Sequence, residues 1–159
     1  MDIEAKRVEL QAQVDNSKTQ EERNKLGQFA TPSSLADEIL CLAKESINPS
    51  LPIFFLDPAF GTGPFYSALL KYFPKEKIKG AYGIEIDPLY ANVAHRVWKD
   101  TQLNLITADF MTVCPDVFGT DKATLLICNP PYVRHHHLNS EQKGIFSQIA
   151  KQATGININ

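Results

Sequence analysis

The chain has 159 residues, 43% of them apolar, which suits one domain with enough hydrophobic content for a core. Its 16 basic and 18 acidic side chains leave a net charge of −2, which excludes a basic field that grips nucleic acid by counterion release; phosphate contacts, if any, lie mostly elsewhere. Cys41, Cys114 and Cys128 have no CxxC spacing and read as buried small hydrophobes in a reducing compartment; with no signal peptide and no apolar run of membrane-spanning length, a soluble cytoplasmic protein is expected.

Residues 1–26 mix charges of both signs, and Ile3, Val8, Leu10 and Val14 make only a partial helical stripe. They read as a solvated helical lead-in without chemistry, frayed near Asn16–Gln20. The segment Gly27-Gln28-Phe29-Ala30-Thr31-Pro32 follows. Thr31 and Pro32 form a good N-cap and first-turn pair, and Leu35, Ile39, Leu42, Ala43 and Ile47 recur at helical spacing, so a helix is expected from about Pro32 to Ile47. Its amino end, with the Thr31 hydroxyl, could hold a carboxylate, or it is simply a capped helix.

Leu51–Leu56 reads as the first strand and runs into Asp57-Pro58-Ala59-Phe60-Gly61-Thr62-Gly63-Pro64-Phe65 and then a helical stripe through Leu69, Leu70 and Phe73. Strand, glycine turn and helix together open a nucleotide-binding α/β sheet. The full G-x-G-x-x-G spacing is missing, as are the lysine and spacing of a P-loop. Asp57 at the turn would repel a diphosphate and could bond an ammonium group.

Gly80–Pro88 supplies a second strand, with Glu85 about 20 residues beyond the glycine turn, where an acid meets ribose hydroxyls. A helix through Leu89, Val93, Ala94 and Val97 leads to the third strand, Leu103–Thr107, and then to Ala108-Asp109-Phe110. Asp109 with Phe110 offers an acceptor and a ring, as an adenine requires. Glu85 and Asp109 also read as helix caps, but three acids at three successive strand ends fall on one rim.

The apolar run Ala123–Cys128 reads as a buried fourth strand ending in Asn129-Pro130-Pro131-Tyr132. The prolines cannot continue a ladder and make a stiff loop. An amide oxygen and a backbone carbonyl can accept both hydrogens of an exocyclic amine while a ring stacks on the base. The same four residues also make an ordinary turn with Tyr132 packed on the core. Adjacent histidines diverge and no HExxH partner exists, so His135, His136 and His137 are not expected to bind metal; Arg134 is available for a phosphate. A short helix capped by Ser140, carrying Ile145, Phe146 and Ile149, ends the chain.

These motifs, in this order over about residues 24–137, resemble the amino-terminal part of a gamma-order adenine-N6 DNA methyltransferase of the restriction-modification type. The resemblance implies a Rossmann-like S-adenosylmethionine-dependent α/β fold, truncated after about four parallel strands. It divides the chain into a lead-in, 1–26, and a partial catalytic domain, 27–159, without a target-recognition domain. It implies that Thr31 holds the methionine carboxylate and that Asp57, Pro58, Ala59, Gly61 and Gly63 surround the methionine moiety. Glu85 would bond the ribose, Ile86 would pack on the adenine, and Asp109 and Phe110 would meet its amine and ring. Asn129, Pro130, Pro131 and Tyr132 would receive a flipped adenine of double-stranded DNA.

Asn-Pro-Pro-Tyr also occurs in methyltransferases acting on protein glutamine and on RNA, whereas its combination with the Gly27–Pro32 segment favours DNA adenine. Two further readings are a silent S-adenosylmethionine-binding fragment that needs a partner chain and a dinucleotide-dependent oxidoreductase, the latter disfavoured by Asp57 and the glycine spacing.

Overall fold

A computed structural model describes residues 2–25, 27–113, 122–131 and 140–156. The chain forms two compact units, residues 1–19 with 30–130, and residues 20–29 with 131–159.

The first unit is built on a parallel sheet of four strands: β1 (Ile53–Asp57), β2 (Ile78–Glu85), β3 (Leu103–Thr107) and β4 (Leu125–Leu126). Their order is β3-β2-β1-β4, so the chain builds outward from β1 to β3 and then returns to the other side of β1. That reversal makes the carboxyl ends of β1 and β4 a topological switch point, where open α/β sheets bind ligands. The fold expected from the sequence is thus observed as four parallel strands with helical crossovers. β4 is shorter than its apolar run: only Leu125 and Leu126 pair, opposite Phe55 and Leu56, with flanking bonds from the Thr124 and Ile127 amides to Phe54 and Leu56 carbonyls. Leu125 turns inward, whereas Leu126 on the same edge is 57% exposed.

Helix α1 spans Ile3–Ser17, α3 Ser33–Ser46, α4 Pro64–Tyr72 and α5 Pro88–Trp98. Between the first two, α2 (Gln20–Lys25) belongs to the second unit. α3 packs on α4, and α1 on α5. The core joins Phe55 of β1, Phe60 of the turn, Tyr66 and Leu69 of α4, and Val97 and Trp98 of α5. Tyr66 meets the edge of Trp98 at 5.1 Å between ring centroids, and the Trp98 indole N–H donates to the Thr62 carbonyl at 2.9 Å. The aromatic cluster therefore lies under the glycine turn and fixes it from below.

Three expectations are corrected. α1 is not merely solvated: Leu10 joins the core and Arg7 is 1% exposed. α3 starts one residue later than expected, with Pro32 at the N-cap and no side-chain cap. Its buried stripe is Ala36 and Leu40, while Leu35 and Leu42 point to solvent, because the helix turns a small residue inward. Cys41, one residue past Leu40, is accordingly exposed, and Cys128 is half-buried; Cys114 lies outside the described residues.

In the second unit α2 ends in a Schellman turn, with Gly27 at φ 61° and the Gln28 amide donating to the Arg23 carbonyl. α6 (Ser140–Thr154) runs 15 residues, longer than expected, and ends at Gly155, φ 74°. Among the described residues no helix is long and apolar enough to cross a membrane.

Candidate functional site

The carboxyl ends of the strands form a rim. Asp57 closes β1, fully buried at 0% exposure. One oxygen, Oδ1, accepts from the Ala59 amide at 3.1 Å; the other, Oδ2, is buried without a hydrogen-bond partner. Burial, with the nearby Glu85 charge acting in the same direction against the Ala59 N–H, pushes its carboxyl up to about 7. An orphaned carboxylate oxygen in a dry site is costly unless a cationic donor meets it.

Pro58 and Ala59, both half-buried, carry the chain into the turn. Gly61 and Gly63 take φ of 57° and 89°, left-handed values that suit glycine. The two differ in surroundings. A Cβ on Gly63 would lie 2.6 Å from Phe60 and Trp98, so this glycine serves packing; a Cβ on Gly61 would meet nothing within 4 Å, so this one faces open space.

Glu85, 7% exposed at the end of β2, ties the rim together. Its Oε2 accepts from the Gly61 amide at 2.7 Å and its Oε1 from the Asp87 amide at 2.8 Å. Burial raises its carboxyl, against those two N–H groups. The helix-cap reading of this region falls to Asp87 instead, which accepts from the Leu89 amide at the start of α5 and pairs with Lys18. Ile86 is 58% exposed on the rim.

The Ala108 amide donates to the Glu85 carbonyl at 3.0 Å, which sets the β3 end beside the β2 end. Asp109 caps a short 3-10 turn, Phe110–Thr112, through the Met111 amide at 2.9 Å, so the cap reading holds for this residue. Phe110 is 39% exposed.

Thr31 and Asn129 meet across 98 positions of sequence: the Asn129 amide Nδ2 donates to the Thr31 hydroxyl at 3.3 Å. Because α3 starts after Pro32, that hydroxyl is free of capping duty. Thr31 is 7% exposed and Asn129 half-buried, while Pro130 and Pro131 are exposed. Tyr132, Arg134 and the three histidines lie outside the described residues.

Sequence reasoning missed Arg7 and Gln11. Both bond the Thr62 hydroxyl between the two turn glycines, Arg7 Nη1 at 3.0 Å and Gln11 Oε1 at 2.6 Å. The signal was present: Glu4, Arg7 and Gln11 fall on one helical face at i, i+3 and i+7, but a charged face reads as solvated unless its partner is known.

The model of the N-6 DNA Methylase family matches residues 15–155. The type II methyltransferase M.XamI of Xanthomonas campestris pv. amaranthicola is 32% identical over 102 residues, 60% of this chain and 18% of that protein. M.AccI of Acinetobacter calcoaceticus, also a type II methyltransferase, is 30% identical over 130 residues, 81% of this chain and 22% of that protein. The chain thus spans about a fifth of the length of these relatives. Two solved structures share the fold. One, described as a class I S-adenosylmethionine-dependent methyltransferase of Listeria monocytogenes, has a TM-score of 0.54 at 20% identity over 64% of this chain and 31% of that one. The other, described as an RNA methyltransferase of Pyrococcus horikoshii, has a TM-score of 0.53 at 23% identity over 79% of this chain and 58% of that one. With a family match that takes in the whole sheet and the motifs on its rim, the chain belongs to the N-6 DNA methylase family.

Proposed function

We propose that this chain carries the cofactor-binding part of an enzyme that moves a methyl group from S-adenosylmethionine to the N6 amine of adenine in double-stranded DNA, within a restriction-modification system. The observation that carries this reading is Asp57: a buried carboxylate with an unpartnered oxygen, at the switch point, on the strand that leads into the turn where Gly61 faces open space. That pair fits the ammonium group and chain of a methionine moiety, and it disfavours a dinucleotide diphosphate. The family and the names of the relatives favour DNA adenine over protein glutamine or RNA.

Pro58, Ala59, Gly61 and Gly63 would line the methionine end, with Thr31 at its carboxylate. Glu85 would accept from the ribose hydroxyls on lone pairs left by Gly61 and Asp87. Ile86 and Phe110, exposed on neighbouring strand ends, would cover the adenine ring, with Asp109 at its amine. When bound, the cofactor supplies an electrophilic methyl group on a sulfonium.

The target adenine must leave the duplex to reach it, at an unstacking cost of a few kcal/mol. Donation from Nδ2 to Thr31 leaves the Asn129 Oδ1 to accept from the base amine, and the Pro130 carbonyl offers a second acceptor. Pro131 stiffens the loop, and Tyr132 would stack on the base. These acceptors localise the nitrogen lone pair and aim it, so the work is positioning and electrostatics without a protein nucleophile. Leu126, exposed on β4 at the edge of the four described strands, would offer an apolar contact to the rest of a catalytic domain, supplied by a second chain or further sequence.

Calorimetric titration of S-adenosylmethionine into the 159-residue chain tests the reading, with Glu85→Ala as control and NAD as competitor. Binding that the control loses and NAD leaves untouched is expected. A folded chain, by circular dichroism, that binds NAD or neither ligand would overturn it.

A further inference from the structure

Arg7 is a buried cation on a helix that the sequence marks only as a charged lead-in, and every N–H it has is spoken for. Nε donates to Glu4 Oε2 at 2.7 Å, and Nη2 to Glu4 Oε1 at 2.5 Å and Ser33 Oγ at 3.0 Å. Nη1 donates to Gln11 Oε1 at 2.8 Å and to Thr62 Oγ1 at 3.0 Å. The acceptors interlock: Ser33 donates to Glu4 at 2.6 Å and Thr62 to Gln11 at 2.6 Å. Burial opposes the charge on Glu4, yet hydrogen bonds from Arg7, Ser33 and Ser67 with the Arg7 charge outweigh it and hold the carboxyl at about 2.

The cluster joins α1 to the glycine turn at Thr62, to Ser67 of α4 just beyond that turn, and to the first residue of α3, two positions after Thr31. Outside it, α1 is fastened to α5 by Tyr90 on Asp15 at 2.6 Å and by Lys18 on Asp87. A planar guanidinium with five fixed donors holds acceptors at set angles, which a lysine cannot do. An ion pair drawn even partly out of water is a poor source of net stability compared with apolar packing, so what this one contributes is geometry.

We infer that Arg7 is a positioning residue of the cofactor pocket: it locks the Gly61–Gly63 turn and the Thr31 end of α3 into one frame that receives the methionine end of the cofactor. The pocket's identity rests on the S-adenosylmethionine reading above; the lock on the turn does not. The Gly61 and Gly63 amides, bonded to Glu85 and to the Phe60 carbonyl, report on that lock directly.

Three variants of the 159-residue chain separate this role from simple anchoring of α1: Arg7→Lys, Thr62→Val, and Tyr90→Phe, which loosens α1 outside the cluster. Each is measured by urea unfolding, by amide hydrogen exchange at Gly61 and Gly63 without ligand, and by S-adenosylmethionine titration under conditions where circular dichroism shows a folded chain. Arg7→Lys and Thr62→Val are expected to speed exchange at both glycines at least tenfold and to weaken binding at least tenfold. Tyr90→Phe is expected to lower stability and change neither. Should Arg7→Lys fail to fold, Thr62→Val carries the test. Exchange and affinity that track global stability in all three variants would overturn the inference. A wild-type chain that does not bind S-adenosylmethionine, with exchange still sensitive to Arg7, would refute the cofactor reading and the pocket role while leaving the lock on the turn.

Discussion

Asp57→Asn is the substitution that tells most, because stability and binding should move in opposite directions. The side chain keeps its shape and its acceptor for the Ala59 amide, but loses the charge. In the free chain the Asp57 carboxyl sits at about 7 instead of 3.8, which corresponds to a penalty on the order of 4 kcal/mol against the charged form. The folded state therefore binds the proton more tightly than the unfolded state. Asp57's contribution to stability is full below pH 4 and is lost as pH rises through 7, and Glu85, also raised, adds to the same slope. Since asparagine must still place an amide in the same dry space, we expect Asp57→Asn to stabilise the free chain by about 1–3 kcal/mol at pH 8. At pH 4, where the folded-state carboxyl is protonated and the unfolded one about half so, most of the gain should vanish. S-adenosylmethionine affinity should fall at least tenfold in the variant, and in the wild type it should fall about tenfold per pH unit below 7, since the ammonium must meet an ionised Asp57. Urea denaturation at pH 4 and 8 with calorimetry over the same range measures both. A variant less stable than wild type at pH 8 that binds the cofactor normally would refute the reasoning from burial, charge and ligand alike.

The two turn glycines should also part company. Gly63→Ala should lose about 2–4 kcal/mol of stability by urea titration, since its Cβ would collide with Phe60 and Trp98 at a left-handed backbone position. Gly61→Ala should cost only about 1 kcal/mol yet weaken S-adenosylmethionine binding more than tenfold; unchanged affinity would show that the open space beside Gly61 is not the ligand's. In the complete enzyme proposed above, Asn129→Ala should abolish transfer to adenine in duplex DNA, followed with methyl-labelled cofactor, and in the 159-residue chain it should leave cofactor affinity within about twofold; joint loss would make the residue a support for Thr31 rather than an acceptor for the base.

Much of the fold could be read locally. The strand and helix periods, the acidic residue and glycines after β1 and the acid after β2 are all encoded within a few neighbouring residues, because the pleat, the helical turn and left-handed φ are local constraints. Boundaries followed less well where tertiary packing chose the phase: α3 turned Ala36 inward instead of Leu35, and β4 paired over two residues of a six-residue apolar run. Asp109 served as a cap as well as a rim residue, a choice that residue type alone leaves open.

The candidate site divides in the same way. Which chemical groups the chain possesses on its strand ends was set by the sequence: Asp57, Glu85, Asp109, Asn129 and the glycine turn. What state and company they keep came only with the tertiary structure. Thr31 reaches Asn129 across 98 positions, Arg7 reaches Thr62 across 55, and Asp57 is moved to about 7 by burial among partners that no window of sequence contains. Desolvation and side-chain hydrogen bonding depend on distance in space, so they are decided when the sheet closes and α1 is laid across the turn, and not before.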